Sequence, residues 1–294
     1  MRTLNWQIKG ICHQNRERSY ATQNQRSRML QRMATQLYEL GYRHVEVRTL
    51  KPKHVDALLE LWRAQGISDD TIANRLAALR WLLKKVGRES IMVADNQYYG
   101  LTPKKPYTDV NKAKLLPLTV LEQIKDPHVK MSLRLQAAFG LRREESVKFI
   151  PATADRTDHD VPHIWLKPSW CKGGRNRIVP ITSEMQLEVL QAAYELVGRG
   201  AKSSLIPSHK TFKQQRDRYD YECRRVGLSA MHGLRHAYAH RRYRDLTGYD
   251  APVLGGEAPR DLDRRARGII TEELGHGRLE IVASYVGRVP AESN

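Results

Sequence analysis

A segment rich in proline and lysine, residues 98–117, indicates a chain of two domains joined by a linker. The segment, YYGLTPKKPYTDVNKAKLLP, contains three prolines and four lysines but only one acidic residue. Because proline breaks helices and most of the other side chains are polar, this composition predicts a linker. A length of 294 residues is compatible with one or two domains. We therefore expect one domain over residues 1–105 and a second over residues 106–294.

Apolar side chains recur at helical spacing through the first part. Met29, Leu30, Met33 and Leu37 share one face of the first predicted helix, which Gly41 would end. Three helices are predicted, over residues 19–40, 52–66 and 68–87. Short amphipathic helices of this kind bury their apolar faces by packing into a small bundle.

The second part mixes helices with a short sheet. Residues 119–139 have helical character. Two β-prone runs, Ile164–Cys171 and Arg177–Ile181, flank Gly173 and Gly174, which can take a positive φ, and together they predict a hairpin. Beyond the hairpin the chain returns to helix. The expected fold class is mainly α with a small antiparallel β-sheet, an α+β fold.

The excess of basic residues indicates a polyanionic partner. Lys and Arg number 50 against 32 Asp and Glu, a formal net charge of +18. Residues 1–105 hold 19 basic and 9 acidic residues, a net charge of +10. A nucleic acid is the favoured partner, because neutralised phosphates release counterions that offset the self-repulsion. The third predicted helix has a basic face that is either solvated or in contact with phosphates, formed by Arg75, Arg80, Lys84 and Lys85.

The composition excludes several classes of protein. No stretch approaches the roughly 18 consecutive apolar residues that a membrane span needs, and the first residues lack the apolar core of a signal peptide. Cys12, Cys171 and Cys223 are too few and too scattered for a disulfide scaffold or a paired-cysteine metal site. We therefore expect a cytoplasmic protein with no membrane partner.

Four short motifs stand in order along the second part. They are GLRREE (140–145), KGGRNRIVP (172–180), HGLRH (232–236) and LGHG (274–277), and Tyr285 follows nine residues after His276. Each has an ordinary explanation when it is taken alone. Arg142 and Glu145, three residues apart, can form a structural ion pair on a helix, and Lys172 can be a common turn lysine.

The histidines at positions 232, 236 and 240 raise the question of a metal site, because they recur every four residues. A metalloprotease helix needs Glu directly after its first His, and Gly233 occupies that position. No cysteine pair supplies further ligands. We therefore expect no metal at this cluster.

Taken together, the four motifs resemble the catalytic signature of the tyrosine recombinases, the family of phage-type integrases, Xer-type recombinases and integrases of mobile genomic islands. That signature consists of an Arg in a Gly-Leu-Arg context, a hairpin Lys, a His-x-x-Arg box, a Leu-Gly-His turn and a Tyr shortly after it. The residues that match it are Arg142, Lys172, His232, Arg235, His276 and Tyr285. The resemblance spans roughly residues 116–286, and the helical first part resembles the family's SAM-like core-binding domain.

The resemblance implies a site-specific DNA recombinase, the integrase of a mobile element or prophage. Such an enzyme cleaves and rejoins double-stranded DNA through a 3′-phosphotyrosyl intermediate and exchanges strands through a Holliday junction. It acts as a dimer at each site and a homotetramer on DNA, near the nucleoid, and an accessory DNA-bending or directionality factor would be a further partner. The reaction is expected to need no metal, no cofactor and no ATP.

The resemblance also assigns roles to individual residues. Arg142 and Arg235 would clamp the phosphate oxygens, and Tyr285 would be the nucleophile. Lys172 would protonate the leaving 5′-oxygen and His276 would donate a hydrogen bond to the phosphate. His232 would help to activate the nucleophile. Glu145 and His236 would support the catalytic residues without taking part in the chemistry.

Two other hypotheses stay open at this point. A type IB topoisomerase-like enzyme or a telomere resolvase uses the same residue types, and a non-catalytic DNA-binding protein can retain the fold. A non-catalytic relative would be expected to have lost a catalytic residue, and none of the six is missing.

Three features depart from the family pattern. Arg235 and His276 are 41 residues apart, and the extra length around residues 246–267 is either a surface excursion or a contact with DNA or a partner. Nine residues follow Tyr285, too few for much of a docking helix. There is also no room for an arm-site-binding domain before the first helix, so the chain is expected to act on core sites alone or with accessory proteins.

Overall fold

The computed structural model describes residues 3–103 and 105–288, and the chain forms two compact units, residues 1–104 and 105–294. The first unit is a bundle of four helices. They are α1 (Thr3–Gln14), α2 (Tyr20–Glu39), α3 (Pro52–Ala64) and α4 (Asp69–Lys85). The three predicted helices are confirmed to within about two residues at each end, whereas α1 was not predicted.

Local signals set the helix ends in the first unit, and apolar packing holds the bundle together. The Ser19 hydroxyl accepts a hydrogen bond from the Thr22 N–H at the start of α2, and Pro52 occupies the first turn of α3, where no N–H is needed. Trp62 is fully buried and donates its indole N–H to Gln36 Oε1 at 3.0 Å. This bond satisfies the one polar atom of the largest core side chain.

The second unit consists of nine helices and one sheet within its described residues, 105–288. The helices are α5 (Leu118–Glu122), α6 (Pro127–Phe139), α7 (Arg143–Val147), α8 (Pro151–Ala154), α9 (Glu184–Val197), α10 (Phe212–Arg225), α11 (Gly233–Thr247), α12 (Arg260–Glu273) and α13 (Ala283–Val286). The strands are β1 (Asp155–Arg156), β2 (His163–Leu166) and β3 (Arg177–Pro180). The mainly α fold with a small antiparallel sheet is therefore confirmed.

The sheet has the order β1-β2-β3, and both pairings are antiparallel. In the β2–β3 hairpin Ile164 pairs with Val179 and Leu166 pairs with Arg177. The predicted hairpin is confirmed, and its strands are shorter than the β-prone runs. The third strand, β1, has two residues, which is too short for a periodicity signal.

The segment predicted as one helix over residues 119–139 is two helices. Asp126 caps the second of them, because its Oδ1 accepts from the His128 and Val129 N–H groups. Pro127 then starts α6, since proline cannot continue a helix from the residues before it. At the other end Gly140 takes a φ of 61°, and the Tyr238 ring leaves no room for a side chain there. This glycine turns the chain directly into the Arg142 motif.

The core of the second unit is built around α6, α9, α11 and the sheet. Its largest fully buried side chains include Phe139, Tyr238 and Tyr243. Part of the 246–267 segment also enters this core, because Ala251 and Ala258 are buried. The segment is therefore more than a surface excursion.

The predicted linker is ordered where it meets each unit. Tyr99 and Leu101 are buried in the core of the first unit. In the second unit the Thr108 N–H donates to the Ala283 carbonyl at 3.1 Å. None of the helices within residues 3–103 and 105–288 is both long and apolar enough to cross a lipid bilayer.

Candidate active site

The hydroxyl of Tyr285 lies at the centre of the candidate site. α13, which carries it, packs against α11, and Tyr285 is 5% exposed. Its Oη atom lies 3.2 Å from His232 Nε2 and 3.4 Å from Arg235 Nε. The His276 ring is also close, with its centroid 5.4 Å from the Tyr285 ring.

Arg235 is a fully buried cation that links three parts of the site. It projects from the first turns of α11, and its Nη1 donates to the Gly140 carbonyl at 2.5 Å while Nη2 donates to the Leu274 carbonyl. Burial, together with the charges of Arg177 and Arg142, lowers the pKa of Arg235 to about 9. The guanidinium therefore keeps its charge at neutral pH beside the Tyr285 hydroxyl.

Arg142 lies beside Arg235, because both guanidiniums donate to the same carbonyl. Arg142 Nη2 reaches the Leu274 oxygen at 3.3 Å, and its Nη1 pairs with Glu145 Oε1 at 2.8 Å. The side chain of Arg142 is 21% exposed. It is thus the more exposed arginine of the pair.

Glu145 is the buried counter-ion of the site. Its carboxylate accepts two bonds from Arg177, at 2.6 and 2.7 Å, and a further one from the Arg142 backbone N–H at 2.6 Å. Burial alone would raise the pKa of Glu145, but the charges of Arg177, Arg235 and Arg142 outweigh it and lower the pKa to about 2. Three guanidiniums thus surround one carboxylate, and the excess positive charge suits an anionic ligand.

Arg177 is a site residue that the sequence analysis missed. It is the first residue of β3 and is 5% exposed. A signal was present, because Arg177 and Val179 share one face of the strand by the two-residue period, and Val179 is an obvious core residue. An arginine on the core-facing side of a strand requires a buried carboxylate partner, which Glu145 provides.

His232 is placed to accept the proton of Tyr285. Burial lowers the pKa of His232, and the charges of Arg235 and Arg142 lower it further. The imidazole is therefore neutral at pH 7 and offers a free lone pair at one ring nitrogen. Its Nε2 atom faces the Tyr285 hydroxyl.

Three other histidines surround Tyr285. The His236 ring lies 4.6 Å from the tyrosine ring, and His240 Nε2 lies 2.9 Å from the Tyr285 carbonyl oxygen. Burial and the neighbouring arginines lower the pKa of His276 to about 3, while burial and two neighbouring histidines lower that of His236 to about 4. Buried nitrogens of His276 (Nε2) and His236 (Nδ1) have no hydrogen-bond partner within the described part of the chain.

Lys172 stands apart from this cluster. It lies in the exposed turn between β2 and β3, at residues 172–176, and among the described residues it has no hydrogen bond or ion pair. The turn itself reaches the site, because the Arg175 guanidinium packs directly against Gly277 and leaves no space for a side chain there. The structure thus brings five of the six matched residues together and leaves the lysine on an adjoining turn.

The four basic residues of α4 have different surroundings. Arg80 donates to the Val93 carbonyl and to Asn96, Lys85 pairs with Glu17, and Arg75 lies over the buried Trp62 ring. Lys84 is exposed. Of this face, Lys84 is the cation most accessible to an outside phosphate.

The histidines at positions 232, 236 and 240 all lie close to Tyr285. Among the described residues, no group of three or more His, Cys, Asp or Glu side chains is arranged to hold a metal ion. His232 and His240 instead contact different atoms of Tyr285, the hydroxyl and the carbonyl oxygen. Cys12, Cys171 and Cys223 are unpaired.

Two family models match the chain. The model described as "Phage integrase, N-terminal" matches residues 1–92, and the model described as "Integrase" matches residues 108–241. The first match lies in the first unit and the second in the second unit, and residues 242–294, with His276 and Tyr285, lie beyond it. A search of curated proteins returned no significant match.

Several solved integrases have the same fold. A lambda integrase(75–356) dimer bound to a COC′ core site has a TM-score of 0.62 at 13% identity, with 99% of each chain covered. A lambda integrase tetramer bound to a Holliday junction has a TM-score of 0.60 at 13% identity, covering 98% of this chain and 79% of that chain. The Tn1549 transposon integrase in complex with circular intermediate DNA has a TM-score of 0.53 at 13% identity, covering 100% and 97%. At these identities the likeness concerns the fold.

Proposed function

We propose that this chain, which belongs to the phage-type integrase family of tyrosine recombinases, is a site-specific DNA recombinase of a mobile element or prophage. The observation that carries the proposal is the position of the Tyr285 hydroxyl. It lies 3.2 Å from His232 Nε2 and 3.4 Å from Arg235 Nε in the same chain. A nucleophile, a base and a cation are thus already assembled in one subunit.

In the proposed reaction Tyr285 attacks a DNA phosphodiester. Its Oη forms a bond to phosphorus as the bond from phosphorus to the 5′-oxygen breaks, which leaves a 3′-phosphotyrosyl link and a free 5′-hydroxyl. The phenol proton passes to His232 Nε2, whose lowered pKa leaves it neutral and able to accept. Lys172 gives a proton to the leaving 5′-oxygen once DNA brings the exposed turn to the phosphate.

The reverse reaction rejoins strands. A 5′-hydroxyl, from the same or another duplex, attacks the phosphotyrosyl phosphorus and releases Tyr285. Because one phosphodiester is exchanged for another, the bond energy is kept and no ATP is needed. The scheme also uses no metal, since the arginines supply the positive charge.

Arg142 and Arg235 would stabilise the charge that develops on the non-bridging oxygens. Their shared contact with the Leu274 carbonyl holds two guanidiniums side by side, a spacing suited to the two oxygens of one phosphate. The partnerless Nε2 of His276 is available as a further donor to the phosphate. Loss of one preorganised donor of this kind costs on the order of 100- to 1000-fold in rate.

The partners follow from the substrate. The structural neighbours are a dimer on a core site, a tetramer on a Holliday junction and an integrase on circular intermediate DNA. We extend these arrangements to this chain: double-stranded DNA, a dimer at each site, a tetramer during strand exchange and an accessory factor that bends DNA or sets direction. Since the substrate is DNA, the working protein is placed at the cytoplasmic nucleoid.

The two units have different tasks in this proposal. Residues 1–105 are the core-binding domain, and the exposed Lys84 on α4 is its first candidate phosphate contact. Residues 106–294 are the catalytic domain. The net charge of +18 supports long-range attraction to the DNA backbone.

The test begins with DNA that the protein itself selects. Protein isolated from its host under denaturing conditions should carry covalently attached DNA, and sequencing this DNA identifies the site. A synthetic duplex of that sequence, nicked so that the cleaved strand is lost, should trap the protein as a covalent adduct on a denaturing gel, with or without EDTA. Absence of an adduct would refute the proposal, and an adduct that needs a divalent metal would refute the metal-free scheme.

The products separate recombination from the related activities. A recombinase should join strands from two differently labelled duplexes. A type IB topoisomerase-like enzyme would relax supercoils without exchange, a telomere resolvase would produce hairpin ends, and a non-catalytic relative would bind the site without forming an adduct.

A further inference from the structure

The helix that carries Tyr285 is too short to fix its own position. α13 has four residues, Ala283–Val286, and its one turn closes with a bond from the Gly287 N–H to the Ala283 carbonyl. A single helical turn is unstable by itself, because nucleation costs more than one hydrogen bond returns. The position of the nucleophile must therefore come from groups outside α13.

The carbonyl groups that follow Tyr285 are held by one buried arginine. Arg267, from α12, is 3% exposed and donates Nη1 to the Gly287 carbonyl and Nη2 to the Arg288 carbonyl, both at 3.0 Å. Its Nε lies 2.8 Å from both oxygens of Asp263, which neutralises its charge. A planar fork with donors on two arms is well suited to two adjacent carbonyls.

The same cluster is tied to α11, the helix that begins directly after the proposed base, His232. Asp263 is 1% exposed and accepts a bond from the Tyr243 hydroxyl at 2.7 Å. Tyr243 lies on α11, the helix that Arg235 and His240 also occupy. The contacts from Tyr243 through Asp263 to Arg267 therefore connect the backbone of residues 287–288 to α11, which also carries residues that face Tyr285.

A second contact comes from the loop before α12. Gly287 has a φ of 95°, and a Cβ atom on it would come within 2.6 Å of the Val253 backbone nitrogen. Val253 lies in the same 246–267 segment and packs against the core that contains Tyr285. The backbone after the nucleophile is thus pressed against this loop, as well as bonded to Arg267.

We propose that the 246–267 segment, the extra length between the HGLRH and LGHG motifs, is a positioning element for the Tyr285 nucleophile, and that Arg267 is its principal positioning residue. The inference rests on the proposed function of Tyr285. Arg267 touches neither the hydroxyl nor the phosphate site, so it acts through the backbone of residues 287–288. Its loss should slow the chemical step and leave DNA binding intact.

The first experiment compares two arginine-to-lysine variants in the full-length protein. Arg267→Lys keeps the charge beside Asp263 but cannot reach both carbonyls. Arg242→Lys is the matched control, because Arg242 forms a buried bidentate pair with Glu273 and does not contact residues 283–288. DNA affinity, thermal midpoint and the single-turnover rate of adduct formation at saturating nicked duplex are measured for each.

The proposal predicts different responses of rate and affinity. For Arg267→Lys the single-turnover rate should fall about 100-fold, the loss typical of a 1 Å misplacement of a reacting group, while DNA affinity stays within about twofold. Arg242→Lys should keep its rate within about threefold of the wild-type rate, even if its thermal midpoint falls as much as that of Arg267→Lys. Equal rates for the two variants, or a loss in DNA affinity that explains the whole effect of Arg267→Lys, would overturn the proposal.

A second pair of variants covers the case in which Arg267→Lys fails to fold. Gly287→Ala adds a methyl group against Val253, whereas Gly198→Ala, at a φ of 81° and outside the 246–267 segment, adds one in open space. Both substitutions strain the backbone at a positive φ, but only Gly287→Ala also presses against Val253. We therefore expect Gly287→Ala to slow adduct formation more than the control variant does. If wild type forms no adduct the proposed function itself fails; if wild type reacts and both glycine variants react equally fast, the positioning role alone is refuted.

Discussion

The Nε2 atom of His232 lies 3.2 Å from the Oη atom of Tyr285, and both belong to one chain. A protonated phenol is a weak nucleophile, so a neutral imidazole within hydrogen-bond distance has a clear chemical use. Burial keeps the pKa of this imidazole low, and the buried Arg235 favours the phenolate that forms. The geometry is thus consistent with the proposed reaction, in which the tyrosine and the arginines that would hold the phosphate belong to the same subunit.

Replacement of Arg142 should slow the reaction without preventing binding. We expect Arg142→Ala to reduce the single-turnover rate of adduct formation by about 100- to 1000-fold, because a preorganised cation at the phosphate is lost. DNA affinity in a mobility-shift assay should change little, since Arg142 is one of 50 basic residues in the chain. The control is Arg143→Ala, the adjacent arginine, whose guanidinium pairs with Asp220 at the surface. A parallel loss of affinity and rate would show that Arg142 binds DNA without acting in the transition state.

The role of Lys172 as an acid can be separated from any role in binding. Lys172→Ala should cleave an ordinary duplex slowly, because the leaving 5′-oxygen lacks a proton donor. A duplex with sulfur in place of that oxygen should restore the rate, since a thiol has a pKa of about 8.5 and leaves as the anion. The same sulfur substrate should not rescue Arg142→Ala. Failure of sulfur to rescue Lys172→Ala would assign the proton donor elsewhere.

Glu145 should contribute more to stability than its exposed neighbour. Glu145→Gln leaves Arg177 buried without its counter-ion, and removal of one partner of a buried pair typically costs about 3–5 kcal/mol. Glu144→Gln removes a surface pair with Lys148, for which a loss below about 1 kcal/mol is expected. Urea denaturation of the two variants measures the difference. Similar free energies of unfolding would contradict the account of Glu145 as the buried counter-ion.

Acid should destabilise the catalytic unit through its buried histidines. The pKa values of His236 and His276 fall from 6.5 to about 4 and about 3 in the folded chain. Below pH 6.5 the unfolded chain therefore binds protons that the folded chain does not, and stability decreases as the pH falls towards the folded values. Above pH 6.5 their contribution is fully present.

Two variants separate the contribution of the buried histidine His276 to acid destabilisation from the contribution of the carboxylates. The free energy of unfolding of His276→Gln, measured by urea between pH 7.5 and 4.5, should decrease less steeply than that of the wild type. His209→Gln, at an exposed position of the same unit, should follow the wild-type slope. Identical slopes for all three proteins would refute the account of His276.

Local sequence signals predicted much of the fold. Ser19 and Pro52 mark helix starts that the structure reproduces, because caps and helical periodicity act over a few residues. Gly173 and Gly174 marked the turn of the hairpin, and both take positive φ values. The order of the four motifs likewise indicated which side chains would meet, although their distances depend on tertiary packing.

Features that depend on distant contacts were not predicted. The strand period placed Arg177 on the core-facing side, but its partner Glu145 lies 32 positions away in the sequence, and only the fold identifies that pairing. The loop around Ala251 has a composition typical of exposed turns, yet Ala251 itself is fully buried, because it belongs to the core that also contains Tyr285. The expectation for the chain after Tyr285 concerns residues that lie largely outside the described part, which ends at residue 288.

The most direct test of the account identifies the amino acid that becomes joined to DNA. Wild type, Tyr285→Phe and the exposed-tyrosine control Tyr249→Phe are each incubated with the nicked duplex, and the adduct is digested with trypsin and analysed by mass spectrometry. We predict an adduct for wild type and Tyr249→Phe, with the nucleotide on the peptide LEIVASYVGR, residues 279–288, whose one tyrosine is Tyr285. No adduct should form with Tyr285→Phe. An adduct with Tyr285→Phe, or a nucleotide on any other peptide of the wild type, would contradict the central claim.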